Sequence, residues 1–305
     1  MHGSGSACAS NPADLAHRLS IPLSTQTTDT TETAGLAFKA REIEELVDVY
    51  FFRRVGIVFA HIARVLGLSP TGVTWGALIA GAVGGIALAS PTYAWAGVVL
   101  LVMHGVLDSA DGQLARMTGR STEFGRMMDG VAGYVTHIAM YLGALASAFS
   151  RGAGWSLVAL AAVAGACTII HAQMYDYHRT TYAAIAIKGL VSRKADGAKP
   201  ELVEGYESMQ RTISGLHPEV EELIAARSSD GRVSAADRLR YRASFYRLVR
   251  GWNLMGDNVR RLAIALSVWA GRPEWFIYSE LIPVNLAFAL LWWQQHRADS
   301  QFLRT

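Results

Sequence analysis

The sequence predicts an all-α integral membrane protein: six transmembrane helices preceded by an N-terminal amphipathic interfacial helix. Three observations carry that prediction. Of the 305 residues, 51% are hydrophobic and only 17% are charged, whereas soluble domains average about 25% charged. Residues 65–107, 130–150 and 152–175 contain no Asp, Glu, Lys or Arg, and each run is long enough for the roughly 17–25 residues that cross a hydrocarbon core. The charges that remain are unevenly placed between the ends of these runs, as a membrane topology requires.

The elements follow in order. Residues 1–36 are rich in Ser, Thr, Gly and Ala and lack a signal peptide's apolar core of about 7–15 residues. They read as a disordered polar arm. Residues 37–66 form the juxtamembrane region, where Ile43, Leu46, Val47, Tyr50 and Phe51 recur at helical spacing opposite charged positions. That pattern suits a helix lying in the membrane surface. Pro70 and Thr71 start the first span at 71–90, and the SPTY break at 90–93 separates it from a second at 94–113. A third runs over 124–149 and a fourth over 155–177, joined by the RGAG turn. Spans one to four therefore occupy 67–179.

Residues 180–245 are polar, with charges of both signs, and exceed ordinary loop length. A cytoplasmic helical insertion is expected there. Spans five and six fall within 246–296: the fifth begins near Trp252 and carries Asp257, Arg260 and Arg261 at one end, and the sixth covers 275–295. Residues 297–305 form a tail. Six spans put both termini on one side, with Arg53, Arg54, Arg64, the 116–126 loop, the insertion, Arg297 and Arg304; the other side holds only Arg151 and Arg272. The positive-inside bias assigns the first side to the cytoplasm. Cys8 and Cys167 are too far apart in context for a disulfide framework or a thiolate metal site. The mixed charge forms no basic stripe, which excludes a nucleic-acid partner.

The chemistry concentrates in LDSADGQLARMTGRSTEFGRMMDG, residues 107–130. Asp108 and Asp111 are three apart and share a helix face. A turn through Gly119 folds Asp129 back beside them. Carboxylates converging at a membrane boundary repel one another unless a cation compensates, and a hard divalent ion suits an all-oxygen set. Gly112 and Ala115 leave backbone exposed for a phosphate or flat base, and Arg116 can fork onto a phosphate.

This order resembles the signature of the CDP-alcohol phosphotransferase (CDP-alcohol phosphatidyltransferase) family: Asp108, Asp111-Gly112, Ala115-Arg116, Gly125, Asp129. The resemblance covers residues 42–180 well. It implies that Asp108, Asp111 and Asp129 bind Mg²⁺ or Mn²⁺, and that Asp108, Gly112, Ala115, Arg116 and Gly125 bind the donor. A phosphoalcohol group, such as phosphatidyl from CDP-diacylglycerol, passes to an alcohol acceptor and CMP is released. It further implies contact with membrane lipids, a homodimer, and a bacterial inner (plasma) membrane location with the site facing the cytoplasm.

One position departs from the family pattern. Its fourth aspartate, the usual general base, is Gly133 here. His137, one turn further, and Asp129 are the candidate catalytic residues, since a histidine near neutral pKa accepts a proton from a hydroxyl. His104 and Glu123 are weaker substitutes. The missing carboxylate also leaves open a CDP-alcohol hydrolase or a CDP-lipid-binding homologue. A transporter is the competing class, but its polar groups would sit near the bilayer midplane.

Overall fold

The computed structural model describes residues 43–120, 122–191 and 208–304, without the side chains of Glu123 and Arg126. The expected polar arm and Cys8 lie outside the described residues, as does part of the 180–245 insertion. Apart from isolated bridges at Leu190–Arg232 and Ser229–Arg232, the described secondary structure is helical.

A π-helical turn, Asp48–Phe52, leads into α1, Arg53–Val65. Small residues Gly56, Ala60 and Ala63 bury one face of α1, while Ile57, Val58, Ile62 and Val65 stay exposed. Next comes α2, Pro70–Ala87, started by Pro70 and capped by Ser69, whose hydroxyl accepts from the Gly72 N–H at 3.1 Å. Its successor α3, Ala94–Thr118, stops at Gly119, whose φ of 65° is the left-handed conformation that glycine tolerates at a helix end. Thr122 then caps α4, Glu123–Phe149, by accepting from the Gly125 N–H at 3.0 Å. These two signals bring the start of α4 back against the end of α3.

Helix α5, Ser156–Lys188, ends in a π-helical turn. Helices α6, His217–Arg227, and α7, Ala235–Trp252, follow. Between them and the chain's last helix lies a buried polar knot. His217 meets Asp299 through Nδ1 at 2.7 Å and Tyr241 through Nε2 at 2.9 Å. Helices α8, Asp257–Trp269, and α9, Trp275–Arg304, complete the chain.

Five helices are long and apolar enough to cross a membrane: Pro70–Ala87, Ala94–Thr118, Met127–Phe149, Ser156–Lys188 and Trp275–Arg304. On α2 the outward face carries Trp75, Ile79, Val83 and Ile86, a stripe suited to hydrocarbon. Helix α8 differs from the expected fifth span. The chain breaks at Asn253–Gly256, and Gly256 is extended where Glu45 packs: a Cβ there would lie 1.9 Å from Glu45 Oε1. At 13 residues α8 is about 20 Å long, short of the roughly 30 Å of a hydrocarbon core.

The core of the bundle is backbone against backbone. A Cβ on Gly143 of α4 would sit 1.9 Å from the Gly85 carbonyl oxygen of α2, and one on Gly85 would sit 2.5 Å from the Ala139 carbonyl carbon. Close packing of this kind uses small residues because no side chain can intervene. Gly143→Ala is expected to destabilise by about 1–3 kcal/mol, since the obstruction is backbone and the helices must separate. A lower midpoint of thermal unfolding in detergent checks this. At the end of α4, Arg151 pairs with Glu274, and Arg272 approaches the same carboxylate at 3.6 Å. That carboxylate clasps the α4–α5 connection to the α8–α9 connection.

Candidate active site

The carboxylates converge as the turn at Gly119 dictates. Asp108 and Asp111 stand near the end of α3, and Asp129 stands near the start of α4, with the Asp108 and Asp129 carboxyls within hydrogen-bonding reach of each other. Asp111 is buried and held from α2: its Oδ2 accepts from Thr74 Oγ1 at 2.6 Å. This clamp joins residues 37 apart in sequence.

Two cavities flank this group. The first, about 410 Å³, is lined by Thr71 and Thr74 of α2, by Asp111, Gly112, Ala115 and Arg116 of α3, and by Gly125 and Asp129 of α4. Arg120 also lines it. The second, about 440 Å³, is lined by Asp108, Ser109, Gly112 and Arg116 of α3, by Glu44, Glu45, Asp48 and Arg53, by Tyr175 and Arg179 of α5, and by Asp257, Asn258 and Arg261 of α8. Gly112 and Arg116 line both, so the two spaces border on the same stretch of α3. A Cβ at position 112 would make only ordinary contact with Arg116, 3.5 Å from its Nη1.

His137 lies two turns beyond Asp129 on α4 and lines neither of these cavities. Its Nδ1 is 2.8 Å from the Gly133 carbonyl oxygen, and its Nε2 is 3.4 Å from Asp257 Oδ1. Both nitrogens thus face acceptors, an arrangement in which the ring donates. His104 is buried, with Nδ1 3.0 Å from the Ala77 carbonyl oxygen, and ties α3 to α2. His171 is buried with Nε2 3.1 Å from Asn285 Oδ1.

The second cavity contains groups that the motif does not announce. Asn258 Nδ2 donates to Glu45 Oε2 at 2.6 Å and to Asp48 Oδ1 at 2.8 Å. Two carboxylates sharing one amide repel. Burial first, and then Asp48, pushes the Glu45 carboxyl up from 4.5 to about 7, against hydrogen bonds from Asn258 and Tyr175 that lower it. The folded state therefore holds this proton more tightly than the unfolded chain. Stability from this group is fully present below 4.5 and is lost as pH rises through about 7. Glu45→Gln, which cannot ionise, should gain stability relative to the unmodified protein across that window. Unfolding midpoints of both proteins at about pH 5 and about pH 8 measure it.

Asp108, Asp111 and Asp129 offer only carboxylate oxygens, the donor chemistry of Mg²⁺ or Mn²⁺. Among the described residues, no group of three or more His, Cys, Asp or Glu is arranged to hold a metal ion. Asp108 and Asp129 face each other while Asp111 is turned to Thr74. The donor set fits in kind, with Asp111 engaged elsewhere.

No curated protein and no solved structure matches the chain. Residues 67–193, which carry the motif from Asp108 to Asp129 together with α2, α3 and α4, match the family model of CDP-alcohol phosphatidyltransferase.

Proposed function

We propose that the protein transfers a phosphoalcohol group, phosphatidyl in the first instance, from a CDP-linked donor to an acceptor hydroxyl and releases CMP. The observation that carries this reading is the pair of cavities that share Gly112 and Arg116 in their walls, residues inside the segment that matches the family model. One cavity suits the nucleotide and the other the acceptor, so the two reactants are held on opposite sides of one phosphorus. Holding both in line removes most of the entropic barrier to their meeting.

In this reading Asp108, Asp111 and Asp129 would hold Mg²⁺ or Mn²⁺, which when bound neutralises charge on the donor's pyrophosphate. Thr74 fixes the Asp111 carboxylate through its hydroxyl. Arg116, exposed in the walls of both cavities, forks onto a phosphate oxygen. Gly112, Ala115 and Gly125 keep the donor cavity wall low enough for a nucleotide to lie against backbone. Asp129 would stand at the metal, and His137, two turns behind it on α4 and lining neither cavity, would act on the reaction only through its neighbours.

The remaining proposals concern setting. The protein crosses the membrane six times, with α8 completing the fifth crossing together with its flanking residues. The site and both termini face the cytoplasm of a bacterial inner membrane, and the protein works as a homodimer.

The test is direct. The protein in detergent is given Mg²⁺ or Mn²⁺ and CDP-diacylglycerol, with and without a panel of glycerol phosphate, inositol and amino alcohols. CMP release that depends on an acceptor is the expected result. Release without any acceptor means hydrolysis. Metal-dependent binding without release means a CDP-lipid-binding protein, an outcome that Gly133 keeps in view.

A further inference from the structure

A hydroxyl that attacks phosphorus gives up its proton, and the group that takes it must stand on the acceptor's side of the reacting atom. Helix α4 offers no such group after Asp129. Position 133 has no side chain, and a Cβ there would meet nothing within 4 Å. His137 has both ring nitrogens against acceptors. Glu44 is tied to Arg53 at 2.6 Å, and Glu45 and Asp48 share the Asn258 amide.

Asp257 is held more loosely, by contacts of 3.4 and 3.7 Å where the others have 2.6 and 2.8 Å. It is the first residue of α8, directly after the break at Gly256, and its side chain is 46% exposed and lines the second cavity alongside Asp108. Oδ1 lies 3.4 Å from His137 Nε2, and Oδ2 lies 3.7 Å from Arg261 Nη2. Arg261 is itself fixed: its Nη1 donates to Asn258 Oδ1 at 3.0 Å, and its guanidinium lies 5.2 Å from the centre of the Phe52 ring. Two cationic or donating groups therefore orient one carboxylate whose remaining surface faces the acceptor space.

We infer, resting on the transferase reading above, that Asp257 accepts the acceptor's hydroxyl proton and that His137 is the positioning residue that aims it. Asp257 brings from α8 the carboxylate that position 133 lacks. In the step, the acceptor O–H bond breaks and its proton passes to Asp257. The acceptor oxygen forms a bond to phosphorus, and the bond from phosphorus to the CMP oxygen breaks with its electron pair leaving on CMP. The proton then returns to water through the cavity.

The test uses the full-length protein in detergent, with CDP-diacylglycerol, Mg²⁺ and whichever acceptor of the panel the unmodified protein uses. Asp257→Asn is expected to lower CMP release by about a hundredfold or more while binding CDP-diacylglycerol as the unmodified protein does. Adding Gly133→Asp to Asp257→Asn should recover at least about tenfold of that loss, because the space beside position 133 is open. His137→Ala should lower kcat with little change in KM for the donor, and His137→Gln, whose amide can still donate to Asp257, should retain more turnover. Asp257→Asn that works within about threefold of the unmodified protein overturns the inference and leaves the transferase reading standing. Loss of donor binding in Asp257→Asn overturns it too, since the residue would then be structural. An unmodified protein that releases no CMP takes down the transferase reading and this inference together.

Discussion

Asparagine at position 111 should lower CMP release by at least about a hundredfold, the loss already seen when groups merely supporting a metal ligand are removed. The substitution keeps the shape of a buried side chain, and the amide oxygen can still accept from Thr74, so the α2–α3 clamp survives. What disappears is one negative charge. The residual carboxylates, Asp108 and Asp129, would then hold the divalent ion with two ligands in place of three. Raising Mg²⁺ should recover part of the activity, because the defect is one of affinity. Thr74→Val tests the clamp itself and should cost less, about tenfold, since it frees Asp111 without discharging it. Unchanged turnover in Asp111→Asn would remove the metal assignment from the site.

Arg260→Met is expected to destabilise the protein by about 3–5 kcal/mol, the usual consequence of stranding one charge of a buried pair. Arg260 is 2% exposed and Glu280 is wholly buried, with Arg260 Nε 3.2 Å from Glu280 Oε1. The contact is ionic rather than a well-aligned hydrogen bond, as neither of those two atoms has a hydrogen-bond partner. Arg260 is further held by the Met255 carbonyl oxygen, which accepts from Nη1 at 2.7 Å, and Glu280 accepts from Thr168 at 3.2 Å. Removing the guanidinium leaves Glu280, in a place water does not reach, with only His171 at 3.5 Å to answer its charge. The double variant Arg260→Met/Glu280→Gln should recover much of the loss, because neither charge then remains to be desolvated. Unfolding midpoints in one detergent compare the three proteins, and a single variant within about 1 kcal/mol of the unmodified protein would show that the pair contributes little.

The motif was legible because its information is local. Asp108, Asp111 and Asp129 lie within one helix end, one tight turn and the next helix start, and their convergence follows from helical spacing and a glycine stop. Contacts that cross the sequence were not. Thr74 reaches Asp111 across 37 residues, and Asn258 reaches Glu45 across 213. In sequence Asp257 is only a charge at one end of the fifth span, and no spacing rule pairs it with His137. The start of α8 was misplaced at Trp252 for the same reason. The glycine at the break makes sense only in space, where a side chain at position 256 would collide with Glu45. Arg260 was read as an ordinary charge at a helix end, and its neutralisation by Glu280 became visible only once α8 and α9 lay side by side.

The Glu274 clasp has a mechanical corollary. Arg151 follows the last residue of α4, whereas Asp129 lies near its first turns, so the riveted connections and the two cavities occupy opposite ends of the same helix. One helix thus carries a charge-locked end and an end beside open space, and a substitution at Glu274 loosens the first without touching the residues that line the second.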